Sequence, residues 1–200
     1  LTRTDLLSVV RTAVSRGIGR RHPRPPVVRV AGPAQSGKTT LLTRTLGLLG
    51  RIDVAIIQGN AEAAGEVAML AGGRALDEPG ANRRAGLQRA VDKLADAQLI
   101  LVEDRDGPHD AMGDIGEDVR VAIVPAADLG SVSAERLQDV EALVVTRADE
   151  VPEMDVEDGL RALRHSCPGL HTFAIAAGHD DRGLDAWARW LESQAFRQRD

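Results

Sequence analysis

Apolar positions along this chain fall into two alternating textures. Short, nearly continuous aliphatic runs read as buried strands: "VVRVAG", "IDVAIIQG", "LILVED", "RVAIVPA", "ALVVTRAD" and "HTFAIAAG". Between them lie stretches with apolar residues three and four apart, which predict helices. These are "KTTLLTRTLGLLG", closed by Gly50, then "EAAGEVAMLAGG", "ANRRAGLQRAVDKLAD", "EDGLRALRHSCP" and "RGLDAWARWLESQAFRQ". A short connection, "SVSAERLQDVE", is expected to be capped by Ser133. Leu6, Val9, Val10 and Val14 give the first residues an amphipathic helical spacing.

Both-sided aliphatic strands alternating with helices predict an α/β fold: a three-layer domain with a mostly parallel sheet. Ligands of such a sheet gather at the carboxyl ends of its strands. The domain is expected over residues 27–200. Residues 1–26 form an N-terminal helix and an Arg- and Pro-rich linker, "RGIGRRHPRPP".

Composition narrows the chemistry. The chain has 200 residues, 43% apolar and only 2% aromatic, with no Tyr, so its core must be aliphatic. A net charge of −5 gives no general footprint for nucleic acid. The basic run Arg16–Arg24 reads as a solvated linker. The single cysteine, Cys167, excludes internal disulfides and fits a reducing compartment. No apolar run nears the roughly 18 residues that span a bilayer, and no signal-peptide pattern is present, so a cytoplasmic location away from membranes is expected.

The most specific motif is Gly32-x-x-x-x-Gly37-Lys38-Thr39, set between a predicted strand and a predicted helix. This is a P-loop NTPase pattern. Its glycines let backbone N–H groups close around phosphate oxygens, and the helix start adds a favourable dipole. The binding set is Gly32, Gln35, Ser36, Gly37, Lys38, Thr39 and Thr40. Lys38 offers its charge to the β- and γ-phosphates, and the Thr39 hydroxyl is an expected Mg²⁺ ligand. A carboxylate must come from a neighbouring strand end. Glu103 and Asp104 both qualify, Asp104 as a candidate metal ligand, with Gly107 three residues on as a γ-phosphate sensor. After a further strand, "TRAD" stands where GTP-binding proteins carry Asn-Lys-x-Asp. Asp149 would read guanine, Arg147 would lie along the base, and Thr146 lacks the Asn amide that ties this loop to the phosphate loop.

These motifs, with "GDIGEDVRVAIVPAAD" and "FAIAAGHDDRGLDAWARWLE", resemble the nickel-incorporation accessory GTPases of the HypB and UreG type, nearer the hydrogenase branch. The resemblance runs from about Val27 to Leu191 and implies a SIMIBI-class GTPase fold. It further implies GTP and Mg²⁺ as ligands, a homodimer, and a maturation chaperone or apo-metalloenzyme as partner. Ala177 would contact guanine through its backbone. Three departures qualify it. Where the hydrogenase branch carries "EGD", this chain has Gln58-Gly59-Asn60, which removes carboxylates near the metal; Glu62 and Glu66 lie close by. Thr146 replaces Asn. The family's Cys/His nickel ligands are absent from residues 72–90. His165, Cys167 and His171 form a weak alternative trio, and His109 is the better isolated candidate. The expectation is a weak, Mg-dependent GTPase. A binding-only pseudo-GTPase acting as a regulatory or scaffold partner is the alternative, and a small-molecule kinase is disfavoured for want of a lid.

Overall fold

The computed structural model describes residues 24–58, 75–77, 84–104, 114–176 and 182–196. The expected N-terminal helix and most of the Arg-rich run lie outside these residues, as do the helix at 62–73 and Gly59, Asn60, Gly107, His109 and Ala177.

Seven strands form one sheet in the order β3-β2-β4-β1-β5-β6-β7. They are β1 (Val27–Ala31), β2 (Val54–Gln58), β3 (Ala75–Asp77), β4 (Leu99–Asp104), β5 (Val119–Pro125), β6 (Ala142–Thr146) and β7 (His171–Ile175). Every strand pairing is parallel. Four helices cover it: α1 (Lys38–Leu48), α2 (Arg84–Lys93), α3 (Glu153–Ser166) and α4 (Leu184–Ala195).

The strand pleat sorts the core. Val28, Val30, Ile56, Leu99, Leu101 and Val144 face one side, where Leu41 and Leu42 of α1 and Leu184, Trp187 and Leu191 of α4 meet them. Trp187 donates its indole N–H to Thr45 Oγ1 at 3.0 Å, so the largest buried side chain also joins α4 to α1. The opposite side carries two separate aliphatic clusters. One joins α2 to β1, β2 and β4; the other joins α3 to β5 and β6. With helices on both faces, the expected three-layer parallel architecture is what forms.

Ions are buried on that second face, on β1 and β5. Arg29, in the middle of the central strand, is 4% exposed. Its guanidinium pairs with Asp104 at the end of β4, through Nη2 and through Nε at 3.1 Å. Its Nη1 lies 3.5 Å from Glu117 Oε1, which also accepts from Arg120 Nε. Arg29 and Arg120 stand side by side in the β1–β5 register. Glu117 therefore separates two cations that would otherwise repel, and Ile115 N–H donates to its other oxygen at 2.9 Å.

Two local expectations fail. Ser133 starts a single 3-10 turn without any side-chain cap, and the residue three positions on is Arg136, which offers no acceptor for a capping box. The strand β3 was not expected. Three residues cannot display a periodicity, and this one is defined only by pairing its backbone with Ile56–Gln58 of β2.

Burial pushes the Glu117 carboxyl up, but its own backbone N–H, the Arg120 side chain and Ile115 N–H outweigh that and hold it below the ordinary glutamate value. A carboxyl depressed in the folded state stabilises the fold above its unfolded value, and that contribution is lost as pH falls through the folded one. Glu117→Gln should cost on the order of 3 kcal/mol near pH 7, since it leaves buried guanidinium groups undercompensated. The gap to wild type should close as pH falls below 4.5, measured by denaturant titration across pH. A gap independent of pH would contradict this assignment.

Candidate functional site

At the carboxyl end of β1 the chain must turn sharply, pass beneath its neighbours and enter α1. Gly32 makes this possible: a Cβ there would collide with the Ile123 carbonyl of β5. Gln35 and Gly37 both take left-handed backbone angles, φ 61° and 82°. These curl the loop so that α1 begins at Lys38 with no side-chain cap on its first turn. Uncapped N–H groups at a helix start, approached by a loop of small residues, present a concave set of donors to an anion.

Lys38 is 6% exposed and folds back over this loop. Its ammonium donates to Gly32 O at 2.8 Å and Pro33 O at 2.7 Å, with Ser36 Oγ at 3.4 Å. Carbonyls are replaceable partners for an ammonium, so the charge is held at the loop mouth by contacts that an anionic oxygen can displace. Thr40 points outward and is exposed.

The pleat decides between the two adjacent carboxylates that end β4. Glu103 lies on the α1 face and is 3% exposed. It accepts the Thr39 hydroxyl at 2.6 Å on Oε1 and the Gln58 amide at 2.6 Å on Oε2. Asp104, one residue later, must face the other way. It is engaged by Arg29 on the α2 side, so of the two candidate carboxylates, Asp104 being the one named as a metal ligand, it is Glu103 that lies beside Thr39. Thr39 gives its only hydroxyl proton to Glu103, which leaves its oxygen lone pairs as acceptors toward the loop.

The loop after β6 reaches the phosphate loop through two hydrogen bonds. Thr146 Oγ1 donates to Ser36 O at 2.7 Å, and Arg147 Nη2 donates to Gln35 O at 2.9 Å. The tether expected to be missing without an Asn amide is therefore made by a hydroxyl. Thr146 can reach because it ends β6 on the α1 face, and its side chain would sit 3.8 Å from a Cβ on Gly37. Arg147 bonds the loop backbone from a left-handed conformation, φ 54°. Asp149 is exposed on the single turn Ala148–Glu150 that follows. Gly107 and Ala177 lie outside the described residues, so their placement beside these groups is not part of this geometry.

The thiol and imidazole trio is not brought together. His171 stacks beside Trp190 on the α4 face, ring centroids 5.7 Å apart, whereas Cys167 packs with the α3 cluster. Among the described residues no group of three or more His, Cys, Asp or Glu side chains is placed to hold a metal ion. Two residues at or behind the site had no role in the sequence reading. Gln58 was taken only as a lost charge, and Arg29 only as part of a buried strand. An arginine flanked by valines in a five-residue central strand was the available signal, because burying it requires an acid nearby.

No family model matches the chain. It is 27% identical over 187 residues to the hydrogenase maturation factor HypB of Azotobacter chroococcum mcd 1, an alignment covering 84% of this chain and 60% of that protein. The HypB of Azotobacter vinelandii is 26% identical with the same coverage. The chain thus spans about 60% of the length of the curated relatives it matches. In fold it is similar to the hydrogenase maturation factor HypB of Archaeoglobus fulgidus, with TM-score 0.68, 18% identity, and 86% and 90% of the two chains covered. A HypB from Helicobacter pylori solved in complex with nickel gives TM-score 0.67, 13% identity, and coverage of 98% and 96%. A LAO/AO transport system kinase gives 0.60 at 18% identity, covering 98% of this chain and 67% of that one.

The Thr146 tether is testable by itself. Thr146→Val keeps the shape but leaves the Ser36 carbonyl without its partner, at an expected cost of about 1–3 kcal/mol. Thr146→Ser should stay near wild type in the same denaturant titration, and equal stability of the two variants would show that the hydroxyl holds nothing. In sequence along most of its length this chain is similar to the hydrogenase maturation factors HypB, and it shares the parallel α/β fold of the solved HypB structures, with a phosphate-loop motif at the end of β1.

Proposed function

We propose that the chain is a guanine-nucleotide-binding accessory protein of metalloenzyme maturation. Its weak Mg²⁺-dependent GTP hydrolysis would gate contact with a maturation chaperone or apo-enzyme. The observation that carries this reading is the Thr39–Glu103–Gln58 chain of hydrogen bonds directly behind a loop whose N–H groups and ammonium converge. Such an arrangement suits a polyphosphate with a divalent cation. The donor set fits Mg²⁺: all oxygens, one buried carboxylate, and a hydroxyl whose proton is already committed. When bound, the cation would neutralise phosphate charge and orient the γ-phosphate.

The chain's own groups have distinct tasks in this reading. Backbone N–H groups from Gln35 to Thr40 bind phosphate oxygens. Lys38 leaves the loop carbonyls to meet the β- and γ-phosphates. Glu103 holds Thr39 so that its oxygen faces the phosphates. Asp149, exposed beside the Arg147 clamp, accepts from the guanine ring N–H and amino group, a pattern adenine cannot supply. The hydrogen bonds from Thr146 and Arg147 would fix the distance between base and phosphate subsites.

A second reading is favoured by one specific feature. Gln58 gives Glu103 a hydrogen bond but brings no charge, so the cluster carries a single carboxylate to activate water. The chain would then bind nucleotide and act as a regulatory partner without turning it over.

GTP with Mg²⁺ should stabilise the wild type by about 2.7 kcal/mol at a hundredfold excess over Kd, read as a thermal shift, and Lys38→Ala should abolish it. A wild type unmoved by any nucleoside triphosphate would end both readings. Single-turnover phosphate release separates them: release lost in Lys38→Ala supports the GTPase, and tight binding without release supports the binding partner.

A further inference from the structure

Gln58 is the one group in the cluster whose bonding is incomplete. It ends β2 opposite Glu103 in the β2–β4 register and is 1% exposed. Its Nε2 is committed to Glu103 at 2.6 Å. Its Oε1 is buried and has no hydrogen-bond partner among the described residues. A carboxamide oxygen left without a donor in a water-poor interior is costly, and such atoms in native folds call for an explanation.

The orientation of the amide is set by its neighbour. Glu103 already receives the Thr39 proton on one oxygen, so the second oxygen requires a donor, and only the nitrogen end of Gln58 can supply it. The oxygen end is then turned away from Glu103 by the width of one carboxamide, at the carboxyl end of β2. A hydrated divalent cation at Thr39 carries water protons that must be accepted by something. Each Glu103 oxygen already accepts one hydrogen bond. Gln58 Oε1, which accepts none among the described residues, is a further acceptor.

We infer that Gln58 is a positioning residue for cation-assisted nucleotide binding: its nitrogen locks Glu103 onto Thr39, and its oxygen accepts a hydrogen bond from a water of the cation's hydration shell. This rests on the nucleotide reading above. It reverses the view of Gln58 as a mere loss. A carboxylate at this position would have no N–H to give Glu103 and would set two anions at hydrogen-bond distance. The carboxamide instead builds a pre-arranged site with one negative charge. Such a site holds its cation less tightly than two carboxylates would, yet keeps the Thr39 oxygen aimed in its absence.

The test is a Mg²⁺ titration of GTP binding on the purified full chain. Gln58→Met fills the same space without polar atoms. Its Mg²⁺ midpoint should rise about tenfold or more, the range for losing an outer partner of a metal ligand. Nucleotide affinity without Mg²⁺ should not change, and excess Mg²⁺ should restore full binding. A residue that only supports the fold would instead lower affinity with and without Mg²⁺ and would not be rescued. If the Met variant folds poorly, Gln58→Ser, smaller and free of strain, reads the same shift. An unchanged midpoint in a folded Gln58 variant, while Glu103→Gln shifts it, overturns the role of Gln58 and leaves the nucleotide reading standing. Wild type that binds GTP identically with and without Mg²⁺ overturns the inference through the reading beneath it.

Discussion

Glu103 and Asp104 are adjacent carboxylates, yet the pleat of a β-strand sends them to opposite faces of the sheet. Each face has prepared a partner. On the α1 side Thr39 and Gln58 take up both oxygens of Glu103. On the α2 side Arg29 receives Asp104. A one-residue slip of β4 would place Glu103 against a guanidinium and leave Asp104 against the Thr39 hydroxyl one carbon too short. The five paired positions between β1 and β4 hold that register. The site therefore depends on sheet alignment as much as on the loop that carries its recognisable motif.

The ionic group behind the site explains why an arginine is tolerated at the centre of the fold. Burying a guanidinium costs several kcal/mol unless its charge and N–H groups are answered. Here Asp104 at the end of β4 and Glu117 just ahead of β5 approach it from either side of β1. The same pairing couples the loop-bearing strand to the start and the end of its neighbours. Only Glu117 is nearly sealed from solvent among the acids involved, at 2% side-chain exposure, against 13% for Asp104.

How legible this was in the chain depends on the range of each interaction. The six longer strands were readable because a parallel sheet buried on both faces needs unbroken aliphatic runs, and α1, α3 and α4 because their apolar spacing repeats over three turns. The loop was readable because its chemistry is local: eight consecutive residues contain the turn, the charge and the hydroxyl. What could not be read were contacts between distant segments. Choosing Glu103 over Asp104 required knowing which face α1 covers. Thr146 looks like the loss of a tether in the sequence, yet its hydroxyl reaches the Ser36 carbonyl 110 positions away. β3 exists only through its neighbour. The Ser133 cap failed because the acid it would need is absent.

The two altered motifs gain a common physical meaning from these contacts. Against the pattern of the resembled family, Thr146 and Gln58 both exchange a group for one of different polarity, and in both places the hydrogen bond that fixes geometry is present. Charge is reduced at Gln58; position is not. Geometry governs whether a polyphosphate fits the cradle, because the binding donors are backbone N–H groups and one ammonium, none of which is altered. Charge governs how strongly a cation is drawn in and how readily a water gives up its proton. A site with its hydrogen bonds kept and a carboxylate removed should therefore lose hydrolysis before it loses binding. On the nucleotide reading proposed above, occupancy rather than turnover would then be the quantity that a partner protein senses.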